Sequence, residues 1–410
     1  MRILFFCKPG TAPRRVPLRV LLCCFCLLVK FPCAAEPLYS PAWGFRIDLP
    51  EGYTYQAGDG KSSFSFKSPE GAVFDLAIYQ GRYKSVEALA KETGRRIGNT
   101  GDISYFDYHN KKAALMELNF SGNTGWGLAV ELAPVTGGQG SGGTGTGRPQ
   151  LLALAYNPAG KTDLSILHLS GLDSIAPSEA ERRKSGPVTE FGYPRGTLKK
   201  TPLAGLELEA LIAEHDAEGA RALVTREFSL LRRHLFTPDW QDAWIRFYRM
   251  IYRDSWERLA DAAFRLERYW NGAGDPAAGS AIRAAEDGGE QNLELAKKAL
   301  KWVQGFKYER DLMGSDFVDL VSAVTEGRGD CDSRTLLWAI ILAQANISSS
   351  IMVSREYSHA MGLADIPGAG ARFEAGGKKW LVAETTARVD IGLIGSDMSG
   401  IAGWIAVPFE

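Results

Sequence analysis

An α+β, multi-domain chain is predicted from three features of the sequence. Short β-favouring runs fill residues 44 to 172, helical periodicity takes over from about Leu206, and a helix followed by two strands dominates the last 120 residues. With 410 residues, 45% of them hydrophobic and 10% aromatic, the chain can bury more than one core.

The first element is a leader. Arg2, Lys8, Arg14, Arg15 and Arg19 form a basic front, Val20 to Val29 an apolar run, and Cys33-Ala34-Ala35 the small residues of a cleavage site before Glu36. Residues 1–35 are therefore expected to be a signal peptide and the protein exported, periplasmic or secreted. The apolar run is too short to span a bilayer. Five of the six cysteines lie in this leader, so the mature chain keeps Cys331 alone and can form no internal disulfide. Leader removal also leaves 41 basic and 48 acidic residues, a formal charge of −7, which argues against nucleic acid or an anionic membrane as partner.

Residues 36–177 are expected to form an α+β sandwich. "GFRIDLP", "SFSFKS", "AVFDLAIYQ", "AALMELNF", "GWGLAVELA", "LLALAYN" and "LSILHLS" read as strands between turn residues, and Ser85 to Ile97 as the one helix, capped by Ser85 with Glu87 in its first turn. The opening "GFRIDLPEGY" and this order of elements resemble the PsbP/Mog1-like fold, which implies a binding or accessory module. Gly137 to Gly147 contains G-x-G-x-x-G, but Arg148-Pro149 and a strand follow it where a dinucleotide site needs a helix. A hairpin insertion is expected there.

Residues 178–203, charged and punctuated by Pro and Gly, read as a linker, and 204–290 as a helical segment. Trp240, Trp244, Tyr248, Tyr252 and Trp256 recur every four residues, a stripe expected to pack as core. The interleaved Arg246, Arg249, Arg253 and Arg258 are expected to be its solvated side, and Gly272 to Gly289 a loop.

Residues 291–410 carry the chemical signal. "LELAKKALKWVQGF" reads as a helix, "SDFVDLVSAVTEG" as another capped by Ser315 and ended by Gly327, and "DSRTLLWAIILAQA" as a third that starts beside Cys331. A helix N-terminus lowers a thiol pKa, whereas Asp330 and Asp332 oppose this, and the sequence leaves the competition open. Among five histidines, at 109, 168, 215, 234 and 359, only His359 falls in the same segment, after the strand "SIMVSREYS". The next strand, in "GGKKWLVAETTA", carries Glu384 four residues after Trp380. A nucleophile at a helix start, a histidine and a carboxylate on successive strands can each orient the next.

The ordered series "GRGDCDSRTLLWAIILAQANI", "SHAMGL" and "KKWLVAETT" resembles the transglutaminase-like cysteine-enzyme superfamily, with its G-x-C, His and W-x-x-x-D-x-T elements on a papain-like core. The resemblance implies Cys331 as nucleophile, His359 as general base and acid, Glu384 as orienting acid, and the Cys331 N–H as part of an oxyanion hole. Three positions depart from the pattern: Glu384 for aspartate, Met361 for a tryptophan expected to shape the substrate groove, and Asn346 for a helix-ending glycine. A cysteine peptidase or amidase working through a thioester on a protein or peptide, cell-wall peptide included, is the expectation. Acyl transfer with crosslinking and a non-catalytic interaction module are its alternatives. No cofactor or metal is expected, and Arg328-Gly329-Asp330 is set aside as a chance tripeptide.

Overall fold

The computed structural model describes residues 37–134, 148–272, 288–309 and 315–409. The leader, the 137–147 glycine run and most of the 272–289 loop lie outside the described residues. The protein is a mixed α+β molecule with a seven-stranded and a five-stranded sheet.

The larger sheet comprises β1 (Thr54–Gly58), β2 (Ser63–Lys67), β3 (Val73–Tyr79), β4 (Ile103–Tyr108), β5 (Lys111–Phe120), β6 (Asn123–Glu131) and β7 (Gln150–Pro158). It is antiparallel throughout, in the order β1-β2-β3-β7-β6-β5-β4. Alternation divides its side chains: Phe74, Leu76, Leu128 and Val130 face one core, Ala114, Met116, Ala129 and Leu152 the other. Helix α1 (Val86–Ile97) covers the second face through Val86, Leu89 and Ala90. Ser85 caps it by accepting the Ala88 N–H at 3.2 Å, and Gly98 ends it at φ 69°.

The other face is covered by α2 (Ser165–Asp173), which corrects the expected strand at Leu164–Ser170 and makes two helices where one was expected. "LSILHLS" is apolar enough to be buried on every side, and such a run has no periodicity to separate strand from helix. Close packing decides it: Gly171 sits where a Cβ would stand 3.0 Å from the Phe74 ring. "GFRIDLP" also contributes less than expected, only Arg46–Ile47 paired with Leu38–Tyr39.

The 178–203 stretch is a folded connection, with a short helix at Pro187–Gly192 and a strand, Leu198–Pro202, paired with Glu209–Ala213. Then come α3 (Asp216–His234), α4 (Trp240–Arg258) and α5 (Ala260–Trp270). On α4 four of the five stripe residues pack as core, Tyr248 and Tyr252 buried and Trp244 and Trp256 partly so, whereas Trp240 lies half-buried outside it beneath Arg355. Its arginines are a correction. Arg246, Arg249 and Arg258 are buried and Arg253 is half-buried. The α4 face opposite the aromatic stripe meets the sandwich instead of water. Arg246 donates to the Asp48 carbonyl at 2.9 Å and to Glu227 at 2.7 Å, and Arg249 grips Asp48 with two bonds of 2.8 Å.

The last part contains α6 (Gly288–Gln304), α7 (Leu320–Glu326) and α8 (Cys331–Gln344), then β8 (Ser349–Ser354), β9 (His359–Ala364), β10 (Arg372–Ala375), β11 (Lys378–Ala383) and β12 (Ile405–Val407). The strands order as β10-β11-β9-β8-β12. Asp319, not Ser315, caps α7, accepting the Ser322 N–H at 2.9 Å, while Gly327 ends it at φ 66° as expected. One core runs from Leu203 to Val407 and joins the middle helices to this sheet. No described helix is long and apolar enough to cross a membrane.

Candidate active site

The position of Cys331 follows from the turn before it. Asp330 caps α8: its Oδ1 accepts the Ser333 N–H at 2.8 Å and the Ser333 hydroxyl at 2.5 Å, while the Ser333 Oγ accepts the Asp330 N–H at 2.9 Å. Gly329 has to be glycine, since a Cβ there would stand 2.6 Å from that hydroxyl oxygen. Arg334 fixes the approach, donating to the Gly329 carbonyl at 3.0 Å and the Phe306 carbonyl at 2.6 Å. Gly329 and Asp330 are both buried, so the Arg-Gly-Asp tripeptide is not presented to a partner.

At the first residue of the helix, 5% exposed, the Cys331 thiol donates to Asp332 Oδ1 at 3.4 Å, and its sulfur accepts the Ala360 N–H. The competition left open by the sequence is thereby decided. Burial pushes the thiol up strongly and the Asp332 and Asp330 carboxylates push it further; the Ala360 N–H works the other way, and the Arg334 guanidinium stands within electrostatic reach of the sulfur. The two aspartates thus differ: Asp330 is occupied as a cap, whereas Asp332 faces the sulfur. The other oxygen of Asp332 accepts the Tyr248 hydroxyl at 2.9 Å, and burial together with Asp332 keeps that phenol well above its ordinary pKa and a donor.

The sulfur therefore lies against the 359–360 peptide, where β9 begins. His359 Nε2 meets Glu384 Oε2 at 2.7 Å, which leaves Nδ1 for proton exchange. Glu384 follows the last residue of β11, a neighbour of β9. Its Oε1 accepts the Thr386 hydroxyl and N–H, each at 2.6 Å. Burial pushes Glu384 up, but His359 and Thr386 outweigh it and hold the carboxyl below its ordinary value. The threonine of the W-x-x-x-D-x-T pattern thus holds the acid. The longer glutamate reaches the imidazole.

Helix and strands are locked together beneath these groups. Trp338 of α8 seats on Gly362 of β9, where a Cβ would stand 2.4 Å from the indole. Thr335 bonds the Thr385 hydroxyl at 2.8 Å, and Gln304 donates to the Glu384 carbonyl at 2.8 Å. Trp404, preceding β12, lies 6.3 Å from the His359 ring at 66°. Met361 is fully buried beside Trp404 in the core on that side of the sheet. Asn346 adopts the left-handed conformation, φ 61°, that a glycine would supply.

Sequence reasoning missed Tyr248, Thr335, Thr385 and Trp404 as neighbours of the site. Tyr248 carried a signal, its place in the aromatic stripe, but nothing that tied it to residue 332. Among the described residues no His, Cys, Asp and Glu group is arranged to hold a metal ion.

No family model matches the chain, so neither resemblance has that support, and no curated protein matches it. Among solved structures the chain is similar to one titled "a Putative Cysteine Protease from Cytophaga hutchinsonii", at 12% identity over 88% of this chain and 82% of that one, with a TM-score of 0.21. A likeness of that size fixes neither fold nor chemistry here, which rest on the residues themselves.

Proposed function

We propose that the protein is an exported cysteine hydrolase of transglutaminase-like chemistry, a peptidase or amidase, with Cys331, His359 and Glu384 as its reacting group, base and orienting acid. The reading rests above all on the 2.7 Å His359–Glu384 contact beside a thiol that touches the next peptide of the same strand. Because burial and Asp332 keep the thiol protonated at rest, attack requires proton transfer in the same step. The Cys331 Sγ–C bond forms as the thiol proton passes to His359 Nδ1, and Glu384 stabilises the resulting imidazolium. The tetrahedral intermediate collapses with C–N cleavage, His359 returning the proton to the leaving amine. Water, deprotonated by the same imidazole, then cleaves the thioester and regenerates the thiol. An amine in place of that water would give acyl transfer.

The competing reading, an interaction module without chemistry, draws on the same burial of the thiol. Acylation decides between them. The full chain treated with an activated acyl ester should gain one acyl group at Cys331, at a rate reduced at least about a hundredfold in His359→Ala. No acylation of folded wild-type protein, or a rate indifferent to His359→Ala, would overturn the proposal. Adding an amine donor to the acyl-enzyme separates transfer from hydrolysis.

A further inference from the structure

A cavity of about 770 Å³ lies between the sandwich, α4 and Phe409, and the proposed chemistry does not use it. Six cations line it: Arg46, Arg182, Arg183, Lys184, Arg249 and Arg253. Only Asp48, Glu179 and Glu257 oppose them. Asp48 is already held by both bonds of Arg249, and Glu257 stands 3.9 Å from Lys184 and 3.6 Å from Arg195, which lies outside the lining. Arg253 has carbonyls rather than an acid, those of Asp173 and Ile175 at 2.9 Å each.

Two guanidinium groups on the sandwich side lack compensation. Among the described residues Arg46 makes no side-chain hydrogen bond or ion pair, and burial lowers its pKa; Asp48 pulls upward, while Arg249, Arg182 and Arg253 add to the lowering. Arg182 stacks over Tyr39 at 4.8 Å, and its buried Nε has no acceptor. Crowding like charges around a cavity of ligand size is unfavourable unless something negative enters it.

We propose that this cavity binds a small polyanion, a molecule carrying two or more carboxylate or phosphate groups, between Arg46 and Arg182 on one wall and Arg253 on the other. Two charges are needed because, among the described residues, the cavity's cations without an acid partner lie on opposite walls, Arg46 and Arg182 on one and Arg253 on the other. Forked guanidinium groups suit planar carboxylates and phosphates alike. The site is independent of the reaction at Cys331.

Citrate and pyrophosphate serve as probes, titrated calorimetrically into the full chain at constant ionic strength, with acetate as the single-charge control. One saturable site is expected for a polyanion, at least about tenfold tighter than any acetate binding. Arg46→Gln and Arg182→Gln should each weaken it about tenfold, with Arg46→Lys intermediate. Hydrogen exchange on the unaltered chain gives a readout that needs no variant: polyanion should protect residues 179–184 and 246–253. Absence of saturable binding by both probes, binding indifferent to both Gln variants, or protection confined to other segments would each overturn the proposal.

Discussion

Helix α4 borders two polar regions that treat buried charge in opposite ways. Toward the sandwich, Asp173, Glu227 and Asp48 are each met by arginine: Arg226 holds Asp173, Arg246 and Arg226 hold Glu227, Arg249 holds Asp48. For Asp173 and Glu227 these partners outweigh the upward push of burial and lower the carboxyl pKa. Toward α8, Tyr248 reaches a carboxylate that faces a thiol, and the cation within electrostatic reach of that sulfur, Arg334, spends its hydrogen bonds on the Gly329 and Phe306 carbonyls. At the seam these three carboxylates are satisfied, which fixes two layers together. At the thiol, burial and two carboxylates outweigh the Ala360 N–H and hold the proton, so attack needs the proton to leave with help.

The largest way to break this comparison is at the seam. Arg246→Ala leaves Glu227 without one of its two guanidinium partners, and the Asp48 carbonyl and Ser170 hydroxyl without the donor Arg246 supplies, and should cost about 3–5 kcal/mol in urea unfolding. A loss below about 1 kcal/mol would mean that the seam is not satisfied from within.

Next in size is the seam's own exception, Glu51. It is buried, its Oε1 has no partner, and burial raises its pKa to about 7, with Arg246 pulling the other way. The folded chain therefore binds a proton that the unfolded chain releases near pH 4.5. Stability from this group is complete below that pH and falls by roughly 3 kcal/mol as pH rises to about 7. In Glu51→Gln that fall should vanish from the difference between urea profiles at pH 5 and pH 7.5. An unchanged difference would assign the pH dependence elsewhere.

Gly362→Ala drives a methyl group into the Trp338 ring and should cost about 1–3 kcal/mol while misplacing α8 against β9. Acylation at Cys331 should fall further than folded population alone explains, and a rate that tracks folded population would refute the role of that contact in positioning. The smallest change sharpens the contrast. Asp332→Asn removes the charge facing the sulfur, so the thiol pKa should drop, and iodoacetamide alkylation at pH 8 should rise by about tenfold per unit of that drop. A slower reaction would show that Asp332 assists the thiol.

Most of the larger sheet and α1 were legible because alternation and caps are local. The run at 164–170 was not, since its apolar residues are too evenly spread to carry a period that distinguishes strand from helix. Arg246 and Arg249 were misjudged for a related reason: periodicity says which residues share a face, not whether the face meets water. Cys331, His359 and Glu384 could be singled out because a helix start and two strand positions recur at short spacings. What Asp332 does could not, because it depends on Tyr248, 84 residues earlier in the chain.

The continuity of the core from Leu203 to Val407 bears on how such a protein can be assembled from parts. A piece beginning at residue 291 would carry all three site residues yet leave behind Leu223, Phe247, Ile251 and Leu259, which fill the same core. A piece that keeps this core whole begins no later than residue 203, and no later than 198 if the Leu198–Pro202 strand is to stay paired. Its outer surface on α4 is a row of arginines, and a different partner could replace the sandwich by offering carboxylates where Asp48 and Asp173 now stand.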